Sequence, residues 1–173
     1  MKNKFLYRVY LATRWFDSIF FIRLRSFLFN RILNLDKRNL IIRSDVRIYG
    51  FNYLLYGNDV SINHGCFISC EGGLIIGDYV SIGHNTSIIT TSHSYEDPCI
   101  PIKYQEIKFD PVEIGNNVWI GANVTILSGV KIADGVIVAA GALVNKSISE
   151  EDVIIAGVPA RIVKKRFHDK DKK

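Results

Sequence analysis

Apolar residues recur along the second half of the chain in an unbroken pattern of six. From Ile114 the sequence divides into the hexads IGNNVW, IGANVT, ILSGVK, IADGVI, VAAGAL and VNKSIS, and the first and fifth places of every hexad are apolar. The spacing of apolar positions alternates between four and two residues, which neither a helix of about 3.6 residues per turn nor a plain strand produces. A repeat this short predicts a solenoid of short strands and turns, in which each unit buries its apolar face only against its neighbours.

The same pattern occurs upstream and is then interrupted. Three hexads per turn predict a triangular coil, and two extra residues, Gly72 and Gly73, break the regular spacing once. The earlier hexads begin at Tyr56, Ile62, Ile68, Ile76, Ile82 and Ile88. The pattern stops at His93, the last residue of IITTSH, and the 20 residues SYEDPCIPIKYQEIKFDPVE separate it from Ile114. Long loops that leave a regular fold are usually functional, so residues 94–112 are predicted to form an excursion loop beside a functional site.

The first 43 residues are rich in aromatic side chains and are predicted to be helical, in two pieces. At about 100° per residue, six apolar residues fall on one side of such a helix: Leu6, Val9, Phe16, Phe20, Leu24 and Phe27. Arg8, Arg14 and Arg25 lie outside this arc. Charged residues interrupt every apolar run, so we expect neither a membrane span of ~20 residues nor a signal peptide. Two interpretations of the arc are open. It caps one end of the solenoid, or it lies in a membrane interface with arginines at lipid phosphates.

Charge divides the chain into three parts. The net charge is +5, but residues 1–43 carry ten Lys and Arg against two Asp, residues 161–173 carry seven against two Asp, and residues 44–160 are therefore acidic. Basic ends favour anionic partners, whereas the absence of a recognition motif argues against nucleic acid. The three cysteines lack a CxxC pair, which argues against a disulfide framework or zinc finger and favours a cytoplasmic protein. The basic, aromatic N-terminal helices suggest a peripheral position at the inner face of the membrane.

The hexads, together with the segments PVEIGNNVWIGANVTILSGVKI and AGVPARIVKKR, resemble the hexapeptide-repeat acyltransferases over about residues 46–166. The similarity is to the branch of galactoside and maltose O-acetyltransferases and bacterial polysaccharide O-acetyltransferases. It implies a mainly β fold, a left-handed parallel β-helix of about four to five coils, assembled as a homotrimer with active sites between subunits. We expect an N-terminal helical segment at 1–43, the β-helix at 44–155, and a basic C-terminal segment, a short helix or tail, at 156–173.

The resemblance implies that His93 is the catalytic base. In this family the catalytic histidine follows a Thr/Ser-rich coil at this place, and it takes the proton of the acceptor hydroxyl. An imidazole titrates near neutral pH, which suits that role. Asn63 and Glu71 fall on acceptor-side positions of the family, whose side chains bond to sugar hydroxyls. Glu71 stands where aspartate is usual, and both residues are also common in turns.

The resemblance directs acetyl-CoA to the C-terminal coils. Trp119 is expected beside the pantetheine arm, and backbone groups of Ala122 and Ala140 are expected to meet its amides. Asn145 and Lys146 are expected near the nucleotide, where the family more often has threonine and lysine.

Two further basic residues match positions that hold the phosphates of CoA. They are Arg161 and Lys164 in ARIVKKR. Lys164 replaces a more usual arginine, which removes bidentate hydrogen bonding but keeps the charge. A basic cluster after a repeat can also be only a solvated end.

The sequence therefore predicts an acetyl-CoA-dependent O-acetyltransferase without a metal. Its acceptor is expected to be a sugar hydroxyl of a bacterial surface polysaccharide or of a lipid-linked precursor. One alternative is an antibiotic or free-sugar O-acetyltransferase of the same fold. A second is a metal-dependent hydratase like the β-helical carbonic anhydrases, using His64 and His84 from third places of hexads, although no third ligand stands at a short spacing. A third is a non-catalytic scaffold, which would leave His93 and Trp119 unexplained.

Overall fold

Two helices precede a parallel β-solenoid. The computed structural model describes residues 2–35 and 39–167, so His168 and the rest of the charged tail lie outside the described residues. Helix α1 spans Lys2–Thr13 and helix α2 spans Ile19–Ile32. The prediction of a helical segment in two pieces is confirmed.

Eighteen strands follow in chain order. They are β1 (Leu40–Ile42), β2 (Arg47–Tyr49), β3 (Leu54–Tyr56), β4 (Val60–Ile62), β5 (Phe67–Ser69), β6 (Leu74–Ile76), β7 (Ser81–Ile82), β8 (Ser87–Ile88), β9 (Thr91–His93), β10 (Ile107–Phe109), β11 (Val112–Ile114), β12 (Trp119–Ile120), β13 (Thr125–Ile126), β14 (Lys131–Ile132), β15 (Ile137–Val138), β16 (Leu143–Val144), β17 (Val153–Gly157) and β18 (Ala160–Lys165). Short 3₁₀ turns at Phe51–Tyr53 and Ile102–Tyr104 complete the elements.

The strands form the three faces of a triangular coil. The first face stacks β1, β4, β7, β12, β15 and β17; the second stacks β2, β5, β8, β13 and β16; the third stacks β3, β6, β11 and β14. All of these neighbours pair in parallel, with identical hexad places opposite each other, as in Ile62 with Ile82 and Ile120 with Val138. The mainly β, parallel solenoid is confirmed, and it makes about six turns because β1–β3 add a turn that lacks regular hexads.

The hexad pattern explains the core. The first and fifth places from Ile114 onward are all buried except the last, Ile148, which is partly buried. Each buried Ile or Val side chain contributes roughly 1.5–3 kcal/mol. The fourth place turns the chain with a left-handed backbone, which Asn, Asp and Gly tolerate. Asn117, Asn123 and Gly135 occupy it with φ of 55°, 56° and 72°. Tyr79 is an exception, because its φ of 59° is one that aromatic residues rarely adopt.

Successive turns approach each other closely at the corner after the first face. A Cβ on Gly83 would lie 2.5 Å from the nitrogen of Ala122, and a Cβ on Gly121 would lie 2.5 Å from the nitrogen of Ala140. Backbone atoms cannot move away as a flexible side chain can, so these second-place positions require glycine. This corner therefore exposes backbone that no side chain covers. A ligand that bound there would lie close to peptide groups.

The helices cap the first turn of the solenoid. Tyr10 and Phe29 join the core, and the Tyr10 hydroxyl donates to the Val46 carbonyl at 2.6 Å. The arc drawn from the sequence does not coincide with the buried face, because Phe20 and Phe27 are exposed and Arg25 is fully buried. The interpretation of the segment as a cap is confirmed, but with a different set of side chains inside.

The excursion that the sequence predicts at residues 94–112 leaves the coil as a strap, but it begins earlier, because Thr91–His93 pair with the returning chain and not with the coil. Strands β9 and β10 pair antiparallel, with His93 opposite Ile107 and Thr91 opposite Phe109. The base of the strap is tied to the coil, since the nitrogen of Asp110 donates to the carbonyl of Thr90 at 3.0 Å. The chain then returns to the third face at Val112.

The C-terminal segment folds back on the solenoid as a hairpin. Strand β18 pairs antiparallel with β17 along the first face, with a bulge between Ile154 and Ile155. Residues 156–167 therefore contain a strand where the sequence predicts a short helix or tail. The reason is that the last parallel strand of the first face would otherwise leave its backbone groups unpaired.

Candidate active site

A groove runs along the second face of the solenoid beside the strap. It is lined by Tyr49, Phe67, Ser69, Glu71, Ile89 and Thr91. The Glu71 carboxylate accepts a hydrogen bond of 2.6 Å from the Ser69 hydroxyl, which fixes the carboxylate at one end. The rings of Tyr49 and Phe67 lie 5.4 Å apart at a tilt of 41°, and both are partly exposed. The groove therefore combines a fixed carboxylate with an open aromatic surface.

His93 extends from the same strand that supplies Thr91 to this groove. Both residues belong to β9, and alternate residues of a strand lie on the same side. The His93 side chain is exposed, at the first residues of the strap. It thus stands at the margin of the groove that contains Glu71.

A buried hydroxyl anchors the strand of His93. The hydroxyl of Thr90 donates to the Ser69 carbonyl at 3.0 Å and accepts from the nitrogen of Gly72 at 2.9 Å. Any side chain on Gly72 would meet the Thr90 carbonyl at 2.1 Å. Gly72 is one of the two residues that break the hexad spacing, so the irregularity in the sequence makes room for the base of the strap.

Asn63 lies away from this groove. It follows β4 on the first face, and its amide donates to the Ile82 carbonyl at 2.9 Å. Glu71 follows β5 on the second face. Within one chain, the two predicted acceptor-side residues thus lie at different corners of the triangle.

The predicted acetyl-CoA residues Trp119 and Lys164 lie in one cross-strand row of the first face. Trp119 pairs with Ile137, Ile137 with Ile154, and Ile154 with Lys164. Three strand spacings of about 4.8 Å separate the two ends, roughly 14 Å. Trp119 is 56% exposed although it is large and apolar. The row therefore runs from the exposed indole of Trp119, across Ile137 and Ile154, to the ammonium group of Lys164.

Ala122 and Ala140 lie at the bare corner beside this row. Ala122 follows Gly121, and Ala140 follows Ala139, which stands at the equivalent hexad place. The Ala122 carbonyl accepts a hydrogen bond from the nitrogen of Gly141 at 2.8 Å. Ala140 is exposed and Ala122 is half-buried. Their peptide groups are therefore near the surface, as the assigned role requires.

The remaining basic and polar candidates lie at two places. Arg161 is on β18, opposite Ala156, and its guanidinium donates to the Ala160 carbonyl at 2.7 Å. Asn145 and Lys146 are exposed after β16, at the corner of the second face. Asn145 occupies the position of Ser69 three turns further along, about 14 Å away.

The candidates therefore form two groups on different faces. The first-face group holds Asn63, Trp119, Ala122, Ala140, Arg161 and Lys164, and the second-face group holds Glu71, His93, Asn145 and Lys146. A groove with a carboxylate and aromatic rings, and an imidazole at its margin, can bind a polyhydroxyl compound and accept a proton. The apolar and basic row can hold a long ligand with an anionic end.

The two histidines at third hexad places do not form a metal site with a third ligand. The Nδ1 of His64 is 2.8 Å from the Ser44 hydroxyl, and its Nε2 is 3.5 Å from the Asp17 carboxylate. His84 occupies the equivalent position one turn further along and is exposed. Over residues 2–35 and 39–167, no three His, Cys, Asp or Glu side chains are grouped to hold a metal ion.

Two of the three cysteines, Cys66 and Cys70, are buried in the core. Burial raises the pKa of the Cys66 thiol to about 11. Burial, assisted by the negative charge of Glu71, raises the pKa of the Cys70 thiol to about 12. Both are protonated core residues rather than nucleophiles, whereas Cys99 is exposed on the strap.

Sequence reasoning missed Tyr49, Phe67 and Thr90. The first two are outward strand residues, and an aromatic side chain at an exposed place of a solenoid is a signal that could have found them. Thr90 stands at a third hexad place, which is usually outward, but it is fully buried. Its burial marks the turn from which the strap departs.

No helix in the described part of the chain is long and apolar enough to cross a bilayer.

Comparison with known proteins places the chain in a family. Residues 111–146 match the family described as bacterial transferase hexapeptide (six repeats). The galactoside O-acetyltransferase of Escherichia coli strain K12 is 32% identical over 150 residues, which cover 79% of this chain and 72% of that protein. The sophorolipid acetyltransferase of Starmerella bombicola is 45% identical over 118 residues, which cover 67% of this chain and 43% of that protein.

A solved structure extends the similarity to nearly the whole fold. The hexapeptide-repeat-containing acetyltransferase of Vibrio cholerae, in complex with acetyl coenzyme A, superposes with a TM-score of 0.82. Its sequence is 26% identical, and the match covers 96% of this chain and 87% of that one. The chain therefore belongs to the hexapeptide-repeat acetyltransferases, the acyltransferase family that contains galactoside O-acetyltransferase.

Proposed function

We propose that the protein transfers an acetyl group from acetyl-CoA to a sugar hydroxyl, with His93 as the general base. The observation that carries the proposal is the position of His93 on β9, two residues from Thr91 in the groove that contains Glu71. A histidine at the margin of a rigid groove can take a proton without moving the scaffold. The acceptor would lie against Glu71, with Asn63 as a second hydrogen-bonding group.

The reaction is a direct acyl transfer. The Nε2 or Nδ1 of His93 removes the proton as the acceptor oxygen attacks the thioester carbonyl. The carbon–sulfur bond then breaks, and the same proton passes from His93 to the departing CoA sulfur, so the ester and free CoA thiol are the products. Backbone N–H groups at the bare corner near Ala122 and Ala140 are suited to a negatively charged oxygen or to the amides of the pantetheine arm.

We assign acetyl-CoA to the row from Trp119 to Lys164. The indole would pack against the pantetheine arm, and Lys164 and Arg161 would meet phosphate groups, with Asn145 and Lys146 near the nucleotide. The relative from Vibrio cholerae that carries acetyl coenzyme A has the same fold, which supports this assignment.

We also propose that the active protein is a homotrimer. Within one triangular coil the first-face group and the second-face group lie on different faces, and Asn63 lies away from the groove that contains Glu71. A complete site forms if the first face of one copy packs against the second face of a neighbour. Asn63 of one copy would then approach Glu71 and His93 of the other.

The acceptor class that we favour is a bacterial surface polysaccharide or its lipid-linked precursor. The aromatic rings of Tyr49 and Phe67 suit the apolar faces of sugar rings. The sophorolipid acetyltransferase, 45% identical over the matched region, is named for an acceptor that bears a lipid. A cytoplasmic protein at the inner face of the membrane would meet such a precursor before export.

The test is thiol release from acetyl-CoA with a panel of glycans, for the wild type and His93→Ala. We expect loss of the base to lower kcat by about 10²–10⁴-fold. His84→Ala, an exposed histidine at a regular hexad place, is the matched control and should retain wild-type turnover. Near wild-type turnover of His93→Ala with a genuine acceptor would refute the mechanism. Activity only with antibiotic hydroxyls or free sugars would redirect the acceptor to that alternative.

A further inference from the structure

The outer surface of α2 carries aromatic and arginine residues in alternation. Phe20, Arg23, Phe27 and Arg31 are spaced by three and four residues, so they form one stripe along the helix. All four are exposed, with Phe20 and Phe27 at 65% and 62%. The opposite face of α2, from Ile22 to Ile32, packs on the solenoid. The aromatic–arginine stripe is therefore not used by the fold.

The turn between α1 and α2 continues this stripe with further apolar side chains. Trp15, Phe16 and Ile19 are each more than half exposed. Phe16 stacks on Phe21 at 4.7 Å, and Phe21 meets Phe20 edge to face at 5.3 Å, so the turn and the stripe form one continuous surface. Exposed apolar surface of this extent is unusual in a monomer and marks an interaction site.

The described residues of this surface include more arginines than acidic residues. Asp17 is the one acidic residue between Lys2 and Ile32, and its carboxylate faces the solenoid, 3.5 Å from Arg43 and 3.5 Å from His64. Arg23 and Arg31 have no acidic neighbour on their own helix. Side chains of this kind match a layer in which apolar chains lie beneath anionic phosphates.

Hydrogen bonds from the buried Arg25 hold the turn between α1 and α2 in one conformation. Arg25 is fully buried, and its guanidinium donates at 2.8 Å to the carbonyls of Thr13, Phe16 and Ile42. These bonds join the end of α1, the turn and β1. The exposed aromatic residues are thus presented by a fixed scaffold, and their exposure is not a consequence of fraying.

We infer that the turn and the aromatic–arginine stripe form a docking surface for an anionic lipid bilayer. The aromatic rings enter the headgroup level, and Arg23 and Arg31 reach lipid phosphates. A second copy related by a two-fold axis would bring arginines against arginines on this surface, and the proposed homotrimer uses the first and second faces of the solenoid, so charge complementarity favours lipid. The inference does not depend on acetyl transfer, although a lipid-linked acceptor would be concentrated at the same surface.

Vesicle sedimentation of the full chain tests the inference. We expect binding to vesicles of phosphatidylcholine with phosphatidylglycerol, weak binding to phosphatidylcholine alone, and release as salt rises from about 0.05 M to about 0.5 M. Two arginines near an anionic surface correspond to roughly 2 kcal/mol. Arg23→Gln with Arg31→Gln should therefore weaken binding about thirty-fold. Phe20→Ser with Phe27→Ser should weaken binding to both vesicle types.

A matched control and a spectroscopic readout separate lipid docking from contact between copies. Tyr79→Asn removes an aromatic ring of 63% exposure from the solenoid, at a backbone that favours Asn, and should leave binding unchanged. With Trp119→Phe, Trp15 is the one tryptophan left, and brominated lipids should quench its fluorescence. Absence of wild-type binding, or stripe variants that bind like wild type, would overturn the inference. A changed subunit number for the Phe variant in sedimentation velocity would overturn it in favour of contact between copies.

Discussion

Replacing Arg25 by methionine should destabilise the protein although it removes a buried charge. The guanidinium donates to three carbonyls, but the Thr13 carbonyl also accepts from the nitrogen of Phe16 at 3.2 Å. Two carbonyls, of Phe16 and Ile42, therefore lose this donor, and each costs about 1–3 kcal/mol. Replacing the buried charge, 3.9 Å from Asp17, by an apolar side chain returns about 1–4 kcal/mol. From the middle of each range we expect a net loss of about 1.5 kcal/mol in the free energy of unfolding.

Urea unfolding followed by circular dichroism measures this loss, at one protein concentration because assembly contributes to stability. Arg31→Met, an exposed arginine on the same helix, is the control and should change stability by less than about 0.5 kcal/mol. Hydrogen exchange of residues 14–18 should also become faster in Arg25→Met, since the turn loses its anchor. If Arg25→Met unfolds like the control, the three hydrogen bonds do not hold the turn and the reasoning is refuted.

Three other predictions concern ligand binding and the cysteines. Trp119→Ala should raise the KM for acetyl-CoA more than the KM for the acceptor, and an equal rise in steady-state kinetics would contradict its assignment. One thiol per native chain, Cys99, should react with a thiol reagent, because Cys66 and Cys70 are buried; labelling of two would contradict this. Because the pKa of Cys66 is raised from 9.0 to about 11, the folded state keeps a proton that the unfolded state loses. Stability should therefore fall as pH rises above about 9, less steeply in Cys66→Ala.

The sequence was sufficient for the solenoid because its signal is local and redundant. Every hexad carries the same apolar places, so an error at one place is corrected by the others, and stacking of identical turns needs no other long-range information. The strap was found for the same reason, since a regular pattern makes its interruption visible. The interruption also drew attention to His93, but its role depended on resemblance to a family.

The sequence was sufficient for the existence of the helices but not for their packing. It left open whether the arc of apolar residues faces the solenoid or a membrane, and two of its aromatic residues, Phe20 and Phe27, are exposed on α2. Arg25 is inside because three carbonyls at a helix end, a turn and a strand meet there and need a donor. Such a meeting is a property of the packed structure and has no periodic trace in the chain.

The sequence was enough for the triangular coil and for the existence of an excursion, and its resemblance to a family supplied the candidate residues for acyl transfer. Which of those candidates are neighbours depends on the packed structure. It joined Thr91 of the His93 strand to Glu71, Tyr49 and Phe67 in one groove, and it put Asn63 and Trp119 on another face. The physical reason is that the hexad period specifies inward and outward positions along the chain. Which outward positions share a groove depends on the stacking register and on the irregular residues, Gly72 and Thr90, that let the strap depart.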